Sequence, residues 1–134
     1  TTLILDTEAA AALLGNAPGK LAKVMTYIDA TKGPRRRNPR STTLLVPTTV
    51  RVEARWDRTH QTSANANRLA HEDHELDTEA ANTAASLAAA HNVAPADAHI
   101  GAIAAQQAGD VAVITSDPDD ITAVTEGKAR VVGI

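Results

Sequence analysis

The sequence predicts an α/β domain built on a mainly parallel sheet of four to five strands. Three observations carry that expectation. Short β-branched and leucine-rich runs ("TLIL", "TTLLV", "VAVIT") alternate with longer alanine-rich stretches, the order that a parallel sheet with helical crossovers requires. The apolar content of 43% is reached with 28 alanines, no Phe, and Trp56 and Tyr27 as the only aromatics, so closely packed helices must surround a few branched strands. The first run is continuously apolar rather than alternating, as in a strand buried on both faces. A chain of 134 residues fits one domain with one core, and no internal repeat or linker divides it.

Each element has a local reason. "TLILD" (2–6) is a strand ending in an acid, and "EAAAALLG" (8–15) a short helix with Gly at its end. In 18–33, Leu21, Val24, Met25 and Ile28 recur at i, i+3, i+4 and i+7, one apolar face of an amphipathic helix. "TKGPRRRNPRS" (31–41), with two prolines and four arginines, must be a loop. "TTLLVP" (42–47) is the second strand, and 48–59 a helix capped by Thr48 or Thr49. Residues 60–67 are a polar connector, and part of 68–77 is an edge strand. Asp77 caps a helix over 77–92, while Pro95 and Gly109 bracket another over 94–109. A strand (111–116), a short helix (118–127) and a closing strand (129–134) complete the chain.

Composition excludes several classes. With no cysteine there is neither a disulfide framework nor a thiolate metal site. No apolar run approaches a membrane span or the apolar region of a signal peptide, so a cytoplasmic protein without a membrane role is expected. The first residue is Thr, so an initiator Met is expected to have been removed or to fall outside the numbering. The net charge of −3 hides a division: residues 32–58 carry eight of the 13 basic residues against Glu53 and Asp57. That leaves a segment of +6 on a body of −9, equally the mark of a polyanion-facing patch and of a solvated loop. Arg35, Arg36, Arg37, Arg51 and Arg55 are its candidate phosphate contacts.

The acids are more informative. In a parallel α/β sheet ligands bind beyond the carboxyl ends of the strands. Asp6 ends the first strand, and Asp117, Asp119 and Asp120 follow a later one in "ITSDPDDI". Glu53 lies on a helix that starts directly after a strand, and Asp97 in the first turn of an alanine-rich helix. A first-turn Asp is often only a dipole partner, worth about 0.3–1 kcal/mol. An unpaired acid at the end of a buried strand costs several kcal/mol and needs another explanation. Brought to one sheet edge, these acids repel one another unless a cation joins them, and hard oxygen donors select Mg²⁺ or Mn²⁺. Position alone leaves ordinary capping and a shared metal site both open.

"LILDTEAAAAL", "LLVPTTVRVEARW", "VAPADAHIGAIAA" and "VAVITSDPDDITAV" resemble, in order and spacing, the four acidic motifs of PIN-domain nucleases, in particular the VapC-type ribonuclease toxins of toxin–antitoxin pairs. The resemblance spans almost the whole chain and implies a three-layer α/β/α sandwich. It implies catalytic Asp6, Glu53, Asp97 and Asp117, with Asp6, Asp97 and Asp117 as ligands of one or two Mg²⁺ (or Mn²⁺) ions. Asp120 and Thr115 match the T-x-N/D-x-x-D form of the last motif, and Glu8, standing where relatives have Ser, either adds charge to the site or faces solvent. The implied activity is RNA hydrolysis to 5′-phosphate and 3′-hydroxyl ends by a homodimer, neutralised by a small antitoxin protein.

Rival assignments are weaker. A haloacid-dehalogenase-like phosphatase would need a second Asp at Glu8 and a Lys before the acid pair, whereas Lys128 follows it. A non-catalytic PIN-like module binding RNA or protein would not need all four acids. His71 and His74 are spaced as metal ligands sometimes are, but isolated surface histidines are commoner. His99 is expected to pack or to face solvent rather than to act as a base, and Trp56 to be core or interface rather than a stacking platform.

Overall fold

The structure, a computed structural model, describes residues 1–32 and 42–134. Along the chain run β1 (Thr2–Leu5), α1 (Thr7–Leu13), α2 (Leu21–Lys32), β2 (Thr43–Pro47), α3 (Thr48–Ala54), a 3₁₀ turn (Gln61–Ser63), α4 (Ala64–Leu69), β3 (Glu72–His74), α5 (Thr78–His91), α6 (Pro95–Gln106), β4 (Val111–Thr115), α7 (Pro118–Thr125) and β5 (Arg130–Gly133). The five strands form one sheet in the order β3-β2-β1-β4-β5. Every pairing is parallel, as the alternation of strand and helix predicts.

The chain steps from β1 outward to β2 and β3, then returns past β1 to β4 and β5. Right-handed crossovers put helices from the two directions of travel on opposite faces of a sheet. The packing follows: α1 touches α2, α3 and α4, α5, α6 and α7 touch one another, and α3 also reaches α6. The result is an α/β/α sandwich. The reversal lies between β1 and β4, whose register pairs Leu5 with Ile114. Asp6 and Thr115 therefore emerge side by side at the switch point, where such sheets bind ligands.

Burial fixes these positions. Leu3, Ile4, Leu5, Val113 and Ile114 are essentially inaccessible, covered on both faces. In α6, Ile100 and Ile103 are fully buried, at about 2 kcal/mol each, which sets the rotation of the helix and hence the direction of Asp97. Gly101 lets α7 approach α6. A Cβ there would lie 2.7 Å from the Val124 carbonyl oxygen and 2.9 Å from Leu87 Cδ1. Trp56 is buried, with its indole N–H donating to Asn67 Oδ1 at 2.9 Å and Arg58 stacked on its face; it is a core residue.

Three local expectations are corrected. The helix expected over 48–59 stops at Ala54, because Arg55 takes a left-handed conformation (φ 58°, ψ 42°) and Trp56 N–H bonds back to the Arg51 carbonyl, a helix-terminating arrangement. Asp57 then closes its own turn by accepting from Thr59 N–H and Oγ1, which competes with helix. Neither Thr48 nor Thr49 caps α3. The cap position is Pro47 and carries no side-chain bond, while the two hydroxyls bond Leu76 N–H and His99. The second half of the polar connector, with the two residues after it, forms α4, whose six residues are too few to show helical periodicity. The edge strand in 68–77 is β3, and Asp77 caps α5 by accepting from Ala80 N–H at 2.8 Å. No helix among the described residues is long and apolar enough to cross a membrane.

Candidate metal centre

Asp6 is shaped by two roles at once. As the N-cap of α1 its Oδ1 accepts from Ala9 N–H at 2.8 Å, satisfying a helix-end donor. Its Oδ2 accepts from Ser116 N–H at 2.9 Å, beyond the end of β4, and the Thr115 hydroxyl also bonds it. Thr115 in turn accepts from Asp117 N–H at 2.8 Å, so one buried hydroxyl links the ends of β1 and β4. Burial raises the pKa of Asp6, the hydrogen bonds from Ala9, Thr115 and Ser116 oppose that shift, and the Glu8 charge adds to it. Retaining an acid at 5% exposure thus requires the donors around it.

Asp97 follows Pro95 and Ala96 in the first turn of α6 and is half-buried. Its pKa is pushed up to about 6, first by burial and then by the charges of Asp6, Asp117, Asp120 and Glu53. Acids from β1, α3 and the β4–α7 corner thus all act on one carboxylate. Asp117 sits exposed at the start of α7 with no side-chain capping bond. Asp120, one turn on, is held above the ordinary carboxylate range by a hydrogen bond shared with Asp117 and by that residue's charge.

The oxygens of Asp97, Asp117 and Asp120 lie within 4.8 Å of one another. Three carboxylates at that separation are a hard-oxygen donor set, and two of them already show the cost of crowding in raised pKa values. The residues present therefore fit a divalent cation. The membership differs in detail from the sequence expectation. Asp120, expected as an added contributor, belongs to the tight group, while Asp6 stands next to it with both oxygens already accepting backbone N–H groups. Glu53 is exposed on α3, within electrostatic reach of Asp97. Asp119 is exposed and outside the group.

Other candidates fall elsewhere. Glu8 pairs with Lys20 at 3.4 Å. Arg51, a candidate for either an acid or a phosphate, pairs with Asp73 of β3 at 3.1 Å and donates to the Trp56 carbonyl. Arg58 makes a second bond to the same Asp73 at 2.8 Å, so the helix-to-edge contact absorbs this charge. Arg55 is exposed beside Asp57 and His60, lining a surface hollow. Arg35, Arg36 and Arg37 lie outside the described residues.

A polar cluster behind α6 was not legible in advance. His99 is fully buried; its Nδ1 lies 2.8 Å from Thr49 Oγ1 and its Nε2 lies 3.0 Å from His74 Nδ1. Burial, then the neighbouring His74, lowers its pKa to about 4, so it is a neutral imidazole with one donor and one acceptor nitrogen, both used. The only sequence signal was a His inside an Ala/Ile helix. No protein-family model matches the chain, and no curated protein matches it.

Proposed function

We propose that this chain is a Mg²⁺- or Mn²⁺-dependent endoribonuclease of the PIN-domain type, acting as the toxin of a toxin–antitoxin pair. The observation that carries the reading is the convergence of acids from separate segments on Asp97, with Asp117 and Asp120 close enough to share an ion. The motif resemblance supplies the reaction class, because the same positions, Asp6, Glu53, Asp97 and Asp117, match the family's acids in order.

Asp97, Asp117 and Asp120 would hold the cation, one or two ions in all, with Asp6 steadied beside them by Thr115. A bound divalent cation neutralises charge on the scissile phosphate and acidifies water. Glu53, exposed on α3, would help hold a second ion or its water. The water oxygen bonds to phosphorus as the bond to the 3′ oxygen breaks, leaving a 5′-phosphate and a 3′-hydroxyl that takes up the proton. No Ser, Cys or His nucleophile is needed. A homodimer, a cytoplasmic setting and a small antitoxin that covers the acidic edge complete the proposal.

Purified protein incubated with single-stranded RNA tests it. Cleavage is expected with Mg²⁺ or Mn²⁺, abolished by EDTA and by Asp97→Asn. Full activity of Asp97→Asn would remove the metal-site assignment. RNA binding without cleavage would indicate a silent PIN-like module instead.

A further inference from the structure

A helix as apolar as α6 has no packing need for an imidazole. Seven residues on it besides His99 are buried, and all are Ala, Ile or Gly. His99 is nevertheless fully enclosed, and a buried polar ring is tolerated only when its atoms are bonded. Both nitrogens are bonded, and each to a different element: Nδ1 to Thr49 at the start of α3, and Nε2 to His74 on the edge strand β3. The Thr48 hydroxyl next door ties the chain after β3, by accepting from Leu76 N–H at 3.2 Å.

The same helices carry acids of the centre. Asp97 lies two residues before His99, on another side of α6, and Glu53 lies one turn after Thr49 on α3. The Thr49–His99 bond is therefore a fixed strut between the helix of Asp97 and the helix of Glu53. To the apolar packing of Val50, Ile100 and Ile103 this adds a directional bond at 2.8 Å, which fixes one point of contact between α3 and α6. We infer that His99, bonded to Thr49 and His74, is a positioning residue that sets the spacing of Asp97 and Glu53 and so the affinity and activity of the acidic centre. Groups behind the direct ligands commonly tune metal sites in this way.

This rests on the divalent-cation reading of the acids, and the experiment separates the two. Thr49→Val keeps shape and loses the hydroxyl; Thr49→Ser keeps the hydroxyl and loses a methyl. Each is compared with the unaltered protein for Mn²⁺ affinity by paramagnetic resonance of free Mn²⁺, for RNA cleavage, and for melting of the metal-free protein. Thr49→Val is expected to weaken Mn²⁺ about fivefold and to lower kcat with KM little changed, with Thr49→Ser close to the unaltered protein. His99→Leu, which removes both bonds, is expected to weaken Mn²⁺ about tenfold or more.

A packing role alone would reverse the order, with Val benign and Ser harmful, and that result overturns the inference. So does Mn²⁺ affinity and kcat unchanged within about twofold in Thr49→Val. If His99→Leu does not fold, the two Thr49 variants decide the matter by themselves. An unaltered protein that binds no Mn²⁺ overturns the metal reading and the strut's role with it, whereas Mn²⁺ binding that is equal in all variants overturns the strut alone.

Discussion

Replacing Asp97 by Asn should stabilise the fold while destroying activity. The direction follows from the pKa of about 6 that burial and four neighbouring acids impose on Asp97, against 3.8 in the absence of that environment. A carboxyl whose folded pKa is raised is held less well as an anion in the native state. Its penalty is absent below 3.8, grows as pH rises toward about 6, and is constant above. At about 1.4 kcal/mol per pH unit the interval sets a ceiling near 3 kcal/mol. Partial exposure and screening reduce this to about 1–2 kcal/mol. Against it stands the loss of a favourable first-turn charge on α6, about 0.3–1 kcal/mol. The penalty of burial and repulsion wins, by about 1 kcal/mol, or roughly 3–5 °C in Tm for a domain of this size. Melting at pH 7 and at pH 4, without metal, checks it: the advantage of Asp97→Asn should be present at pH 7 and shrink toward zero at pH 4. A variant that melts lower at pH 7, or a difference that ignores pH, would refute the claim that burial and the neighbouring acids disfavour the Asp97 anion.

Further expectations concern neighbouring groups. Asp6→Asn should behave oppositely to Asp97→Asn, costing about 1–3 kcal/mol, because its oxygens accept from both Ala9 and Ser116 N–H groups and an amide offers only one acceptor; urea unfolding measures this. Mg²⁺ or Mn²⁺ should raise Tm at pH 7 and lose that effect below about pH 5, as protons compete for the carboxylates, with EDTA reversing the gain in a melting scan. Gly101→Ala should cost about 1–3 kcal/mol, since its Cβ would meet the Val124 backbone at 2.7 Å; chemical denaturation reads the loss. Displacing α7 in this way should also weaken Mn²⁺ binding, through Asp120.

Much of the fold was legible because its signals are local. Continuous apolar runs announced β1 and β4, and Asp77, Pro95 and Gly15 marked helix ends through capping and turn chemistry. The convergence of the acids was legible in outline, since a strand-end acid in a parallel sheet has one edge to occupy. What could not be read was tertiary. Arg51 was drawn to Asp73 across a contact between α3 and β3 that no spacing encodes. The early stop of α3 depends on Arg55 adopting a left-handed conformation, which a non-glycine residue rarely signals. Asp120 joined Asp97 because of how closely α7 approaches α6, a distance decided by the missing side chain of Gly101.

The distribution of ion pairs bears on why the centre exists. Among the described residues, lysine and arginine side chains pair with Glu8, Asp73 and Asp110, while His71 and His91 lie against Glu72 and Glu126. None pairs with Asp6, Glu53, Asp97, Asp117 or Asp120. Exposed pairs contribute only about 0–1 kcal/mol each, so the described pairs neutralise acids where little is at stake. Among the described residues no lysine or arginine pairs with the group whose carboxylates crowd one another. An acidic cluster at the switch point of a sheet whose local choices otherwise agree is a donor set that could take a cation from outside. The same repulsion that weakens the empty fold would strengthen its grip on a divalent cation, because the ion relieves every pair at once.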